Sequence, residues 1–124
     1  MSNGIVFIDD NFVAPVDATM SIFDVGFVWG DTAYDVTSTW KSWFFMLEEH
    51  LDRFKQSCNR FQLKSPYSRD EIRQICAECV RRSGHEDTYV KLQMSRGVLS
   101  SRTADPRVRS EEHTSELQSR AYIV

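Results

Sequence analysis

No apolar run in this sequence approaches the length a membrane span requires, and the opening "MSNGIVFIDD" lacks the basic and apolar regions of a signal peptide. The expected compartment is therefore the cytoplasm. Cysteine is scarce and odd in number: Cys58, Cys76 and Cys79 all fall in stretches of helical pattern, which argues against a secreted disulfide framework. Cys76 and Cys79 spell C-x-x-C, but they share a helical face with Ile72, Ile75 and Val80, and no second pair or His-x-His spacing completes a metal site. They are expected to be small buried hydrophobes, and no metal is expected. Positive charge is also short. Lysine and arginine number 15 against 18 acidic residues, a net charge of −3, so there is no basic stripe to follow a nucleic-acid backbone. Partners are expected to include neither nucleic acid nor membrane.

What is present suits one soluble domain with a modest core: 124 residues, 41% hydrophobic and 27% charged. "IVFI" and "NFVAP" flank Asp9-Asp10 as the arms of a hairpin whose second strand ends at Pro15. Gly26 and Gly30 punctuate an expected loop. Beyond it Tyr34, Val36, Ser38 and Trp40 alternate with Asp35, Thr37 and Thr39, the period of a strand with one polar side. "WFFML" follows across the two-residue gap Lys41-Ser42, a second hairpin.

Leu47, Leu51, Phe54, Cys58 and Phe61 then recur at helical spacing, predicting an amphipathic helix through about Leu63. Pro66 breaks it. "SRDE", Ser68 to Glu71, has capping-box spacing and opens a second helix to about Ser83, with Gly84 as its stop. "TYVKLQMSRG" closes as a strand ending at Gly97, before a polar loop. Strands first and helices after predict an α+β fold: a two-layer domain, mainly antiparallel sheet covered by two helices.

The segment "RSEEHTSELQS", Arg109 to Ser119, resembles the translation of a sequencing-adapter oligonucleotide in one reading frame. Native sequence is accordingly expected over 1–108, and a non-native tail over 109–124.

Arg53 carries the sharpest chemical question. It stands at the boundary between the apolar stripe of the first long helix and its charged face of Glu48, Glu49, Asp52, Lys55, Gln56 and Asn59. There it could snorkel or pair with Glu49, or its planar fork could grip a carboxylate or phosphate. Periodicity leaves both open. His50 reads as a partly buried helix histidine.

"FDVGFVWGDTAYDV", then "FFMLEEHLDRF", then "YVKLQMSRG", taken together over about residues 4–102, resemble the N-terminal domain of the fold-type IV, class IV pyridoxal phosphate (PLP) aminotransferases. The resemblance implies that Arg53, in His50-Leu51-Asp52-Arg53-Phe54, contacts the cofactor phosphate; Phe54 departs from the family's leucine. Gly30-Asp31-Thr32-Ala33-Tyr34-Asp35-Val36 matches "G-D-x-x-[YF]-[ED]-x", which implies that Tyr34 and Val36 line the substrate pocket, with Trp29, Tyr89 and Lys91 beside them. A cation at Lys91 would favour a substrate bearing a carboxylate, unless it is only a solvated edge lysine.

In this family a lysine of the following domain forms the Schiff base with PLP. None of Lys41, Lys55, Lys64 or Lys91 stands in its context, so no catalytic residue is assigned and the fragment alone is expected to be inactive. The implied function is the N-terminal part of a transaminase moving an amino group between an amine or amino acid and a 2-oxo acid, as a homodimer in the full enzyme. The look is closest to the (R)-amine transaminases, which usually have histidine where this chain has Trp29, and to the D-amino-acid aminotransferases, whose arginine after "R-G" is one residue out of step with Arg102. Val36 and Ser38 replace the glycine and arginine usual in branched-chain enzymes. A branched-chain or aminodeoxychorismate lyase-like enzyme, and a non-catalytic α+β binding module, stay as alternatives.

Overall fold

The computed structural model describes residues 4–98 and the backbone of 120–123. Two short hairpins supply four of its strands. β1 (Val6–Ile8) pairs antiparallel with β2 (Asn11–Val13), and β3 (Thr32–Trp40) with β4 (Trp43–Phe45). Both turns have two residues at positive φ, Asp9 (50°) and Asp10 (64°) in one, Lys41 (50°) and Ser42 (69°) in the other. These are the mirror-image turns whose twist matches that of paired strands, formed here without the usual glycine. β5 (Tyr89–Ser95) runs antiparallel along β3, with Ser38 opposite Tyr89 and Thr32 opposite Ser95. β6 (Arg120–Ile123) completes a sheet ordered β2-β1-β6-β5-β3-β4.

The antiparallel α+β expectation holds; besides a 3-10 turn at Pro15–Asp17, two elements are added. The first is β6, whose backbone pairs with β1 and β5. It falls within the segment expected to be a non-native tail; the rest of that segment, 109–119 and 124, lies outside the described residues, as does Arg102. The second is α1 (Val25–Val28), a single helical turn where a loop was expected. Asp24 caps it by accepting from the Gly26 N–H at 2.8 Å. Glycine is needed at 26 for space: a Cβ there would lie 2.7 Å from Ser95 Cβ.

α2 (Leu47–Arg60) and α3 (Arg69–Ser83) form the second layer. Ser68 and Glu71 make the reciprocal bonds of a capping box at the start of α3, and Gly84 ends it at φ 74°. Leu51, Phe54 and Cys58 of α2 and Ile72, Cys76, Cys79 and Val80 of α3 bury against Ala33, Val90, Leu92 and Met94 of the sheet. The C-x-x-C pair is thus core. Burial pushes the thiols up, Cys58 to about 11 and both Cys76 and Cys79 to about 12.

Candidate functional site

The alternation expected along β3 is present, and its polarity runs opposite to the usual rule. Asp35, Thr37 and Thr39 face the helices and are buried, while Tyr34, Val36 and Trp40 are exposed on the open side of the sheet. Buried polar groups are tolerated only when hydrogen-bonded, and these are. Thr39 Oγ1 donates to the Glu86 carbonyl at 2.9 Å and accepts from the Thr88 N–H at 3.1 Å.

Asp35 is the chemically informative member. Its side chain is 3% exposed, and it takes three bonds from α2: Arg53 Nε to Oδ2 at 2.6 Å, Arg53 Nη2 to Oδ1 at 2.9 Å, and His50 Nδ1 at 2.8 Å from Oδ1. Burial raises the Asp35 carboxyl pKa, but the hydrogen bonds and charges of Arg53 and His50 outweigh it and hold the group below the ordinary carboxylate range. Arg53 therefore has an anion inside the chain, Asp35 rather than Glu49. His50 is partly buried, as expected, and bound to the same carboxylate. His50 and Arg53 are three apart, neighbours on one helical face, and Asp35 is an inward strand position. The sequence shows both facts separately and has no signal for their meeting.

Two of the three guanidinium nitrogens, Nε and Nη2, are used. Nη1 makes no hydrogen bond among the described residues, and the Arg53 side chain is 65% exposed. A carboxylate-aimed arginine with one free nitrogen edge can still fork onto a second anion from solvent.

The open face gathers the other expected pocket residues. Tyr34 and Lys91 meet with the Lys91 Nζ 5.1 Å from the ring centre, a cation–π distance. Lys91 stands opposite Val36, and Tyr89 opposite Ser38, so Tyr34, Val36, Tyr89 and Lys91 share one surface. Trp29 ends α1 outside that register, and is exposed. Arg53 and Tyr34 are approached from opposite faces of β3. β4 pairs with Ser38–Trp40 alone, leaving β3 from Thr32 to Thr37 without a neighbour on that side among the described residues.

Two buried polar staples hold the start of β3 and the end of β5. Arg96, 6% exposed, pairs with Asp31 at 2.8 Å and donates to the Phe61 carbonyl, tying the start of β3 to the end of α2. Ser95 Oγ donates to Asp24 Oδ2 at 3.0 Å, and the Val25 N–H to the Gly97 carbonyl at 3.0 Å. The three stretches singled out in the sequence thus interlock. Asp24 and Arg96 lie inside those stretches, but no sequence signal assigned either a role of its own.

On an antiparallel sheet backed by two helices, the chain thus carries an arginine paired to a buried carboxylate on the helix side and a tyrosine–lysine pair on the open face. Its sequence gives it a family. The chain belongs to the class IV aminotransferases, whose profile, Amino-transferase class IV, matches residues 32–122. It is 34% identical over 97 residues to a D-alanine aminotransferase of Listeria monocytogenes, covering 78% of this chain and 34% of that protein. It is 30% identical over 93 residues to a putative branched-chain-amino-acid aminotransferase of Methanocaldococcus jannaschii, covering 75% and 32% respectively. The chain spans about a third of the length of the curated relatives it matches.

Solved structures agree on the fold. The branched-chain aminotransferase of Escherichia coli superposes over 98% of this chain and 40% of its own at a TM-score of 0.83 with 15% identity. That of Thermoproteus uzoniensis, solved with norvaline, gives 0.78 over 98% of this chain and 39% of its own at 19% identity. Among the described residues no helix is long and apolar enough to cross a membrane, and no group of three or more His, Cys, Asp or Glu side chains is placed to hold a metal ion.

Proposed function

We propose that this chain is the N-terminal part of a pyridoxal-phosphate-dependent aminotransferase exchanging an amino group between an amino acid and a 2-oxo acid, with Arg53 as a clamp on the cofactor phosphate. The observation that carries it is the exposed guanidinium of Arg53, held by Asp35 and His50 with Nη1 unused among the described residues. A phosphate monoester fits that donor set. Arginine's planar fork suits phosphate, and a fork already aligned by a buried carboxylate loses little rotamer freedom on binding. Bound there, PLP would supply the electron sink that amino-group transfer needs.

The chain's own residues bind and orient. Tyr34 and Val36 would wall the substrate on the open face, with Trp29 and Tyr89 flanking. Lys91, held at the Tyr34 ring, would meet a substrate carboxylate, which favours amino acids over simple amines. D-alanine aminotransferases among the relatives support the same choice. Val36 and Ser38 argue against the branched-chain type. The Schiff-base lysine, the homodimer and a cytoplasmic setting belong to this proposal as what the family implies.

Arg53→Lys in the full-length protein tests it. Lysine keeps a positive charge beside Asp35 but loses the fork, so PLP retention through gel filtration should fall about tenfold, the scale of one charge-assisted hydrogen bond. Unchanged retention would remove Arg53 from the cofactor site. Arg53→Ala is the blunter variant, because it leaves the buried Asp35 carboxylate with His50 alone.

A further inference from the structure

The distances around His50 bear on how the Arg53 fork is aimed. His50 Nδ1 lies 2.8 Å from Asp35 Oδ1 and 3.2 Å from Arg53 Nη2. These two neighbours ask opposite things of one nitrogen. A carboxylate oxygen needs a proton on Nδ1, whereas the guanidinium, which only donates, needs a lone pair there. The shorter contact, to the charged acceptor, decides: a bare Nδ1 facing a carboxylate oxygen at 2.8 Å would set lone pair against lone pair.

We propose that His50 is a positioning residue for the Arg53 anion site, its Nδ1–H anchoring Asp35 so that the carboxylate presents both oxygens to Arg53 Nε and Nη2 and turns Nη1 outward. This rests on the phosphate reading above and extends it to a residue that reading does not use. The geometry is that of a relay of orientation. Asp35 projects from β3, His50 and Arg53 from successive turns of α2, and α2 packs on β3. Without His50, Oδ1 keeps only the Nη2 bond, and the buried carboxylate can rotate toward a single-point contact with the arginine. The His50 side chain is 21% exposed, so the imidazole has room to be replaced without a large cavity.

The test uses the 124-residue chain and needs no cofactor turnover. Imidazole ¹⁵N–¹H correlation spectra should show His50 as the Nδ1–H tautomer, and the Arg53 Nε–H should be a discrete, slowly exchanging resonance that shifts on titration with inorganic phosphate. His50→Asn, whose amide nitrogen falls where Nδ1 was, should keep the Arg53 resonance and phosphate affinity within about twofold. His50→Leu should lose the discrete resonance and weaken phosphate binding about tenfold, the scale of one hydrogen bond to a charged group. Matched melting temperatures for the two variants separate aiming from stability. An Nε2–H tautomer in the native chain, or a leucine variant that keeps the native Arg53 resonance, overturns the proposal. A native Arg53 signal that ignores phosphate would sink the phosphate reading instead, and the tautomer with the two variants' Arg53 resonances would still decide the positioning role.

Discussion

Asp35 occupies a position where a strand against a helical layer would ordinarily carry a hydrophobe, and its neighbours explain how it stays charged. Its pKa is held below the ordinary carboxylate range, so its stabilising effect is full above about pH 4, where the unfolded chain is also ionised, and is lost as pH falls through the lowered folded value. Urea unfolding at steps from about pH 5 to about pH 2 should show stability declining with acid, and Asp35→Asn should flatten that decline. An unchanged slope in the variant would mean that Asp35 does not carry this dependence. The cysteines make the opposite case, of residues with reactive chemistry held silent. With thiol values pushed up to about 11 and 12 and side chains buried, Cys58, Cys76 and Cys79 should resist iodoacetamide at neutral pH in the native chain and react when it is unfolded. Rapid native labelling read by mass spectrometry would contradict the burial.

At the scale of elements, local chemistry and tertiary contact divide cleanly. α3 is specified from within: Ser68 and Glu71 close its first turn and Gly84 its last. Ser68→Ala should lower stability by about 1 kcal/mol, measurable by chemical denaturation, because it leaves the Glu71 N–H without its partner. A loss of nothing would show that the cap is redundant with the packing of Ile72 and Cys76. α1 is specified from without. One turn is too short to persist alone, and it forms because Asp24 caps it while Ser95 and Gly97 hold it against β5. Periodicity therefore placed α2 and α3 and both hairpins, and read the stretch around Gly26 as a loop. No window of a few residues contains the partner seventy positions away that makes it helical.

For the whole molecule, the open face of the sheet is the dominant feature. Trp40, Trp43, Phe45, Tyr34 and Tyr89 stand exposed on or beside it, and large aromatic side chains exposed together on one face mark a surface suited to a partner. The chain's tryptophans, Trp29, Trp40 and Trp43, are all exposed at 57%, 66% and 81%. The isolated chain should give red-shifted, iodide-quenchable tryptophan emission. A blue-shifted, protected spectrum would mean that this face is covered, by association of the chain with itself or otherwise.

Hydrophobic period, turn residues and capping spacing are properties of neighbouring positions, and they were enough by themselves to determine the α+β class, the two long helices and the strand that carries Tyr34 and Asp35. The motifs also singled out Arg53. Which side of that strand turns inward, what Arg53 grips, and that His50 shares the grip were decided only when α2 packed across β3. A period of two says that residues alternate but not which set is buried, and an arginine at a helix boundary has no partner until another element brings one. Here the polar set went in because each member found a partner, Asp35 on α2, Thr37 on β4 and Thr39 at Glu86 and Thr88, leaving the apolar set free on the open face.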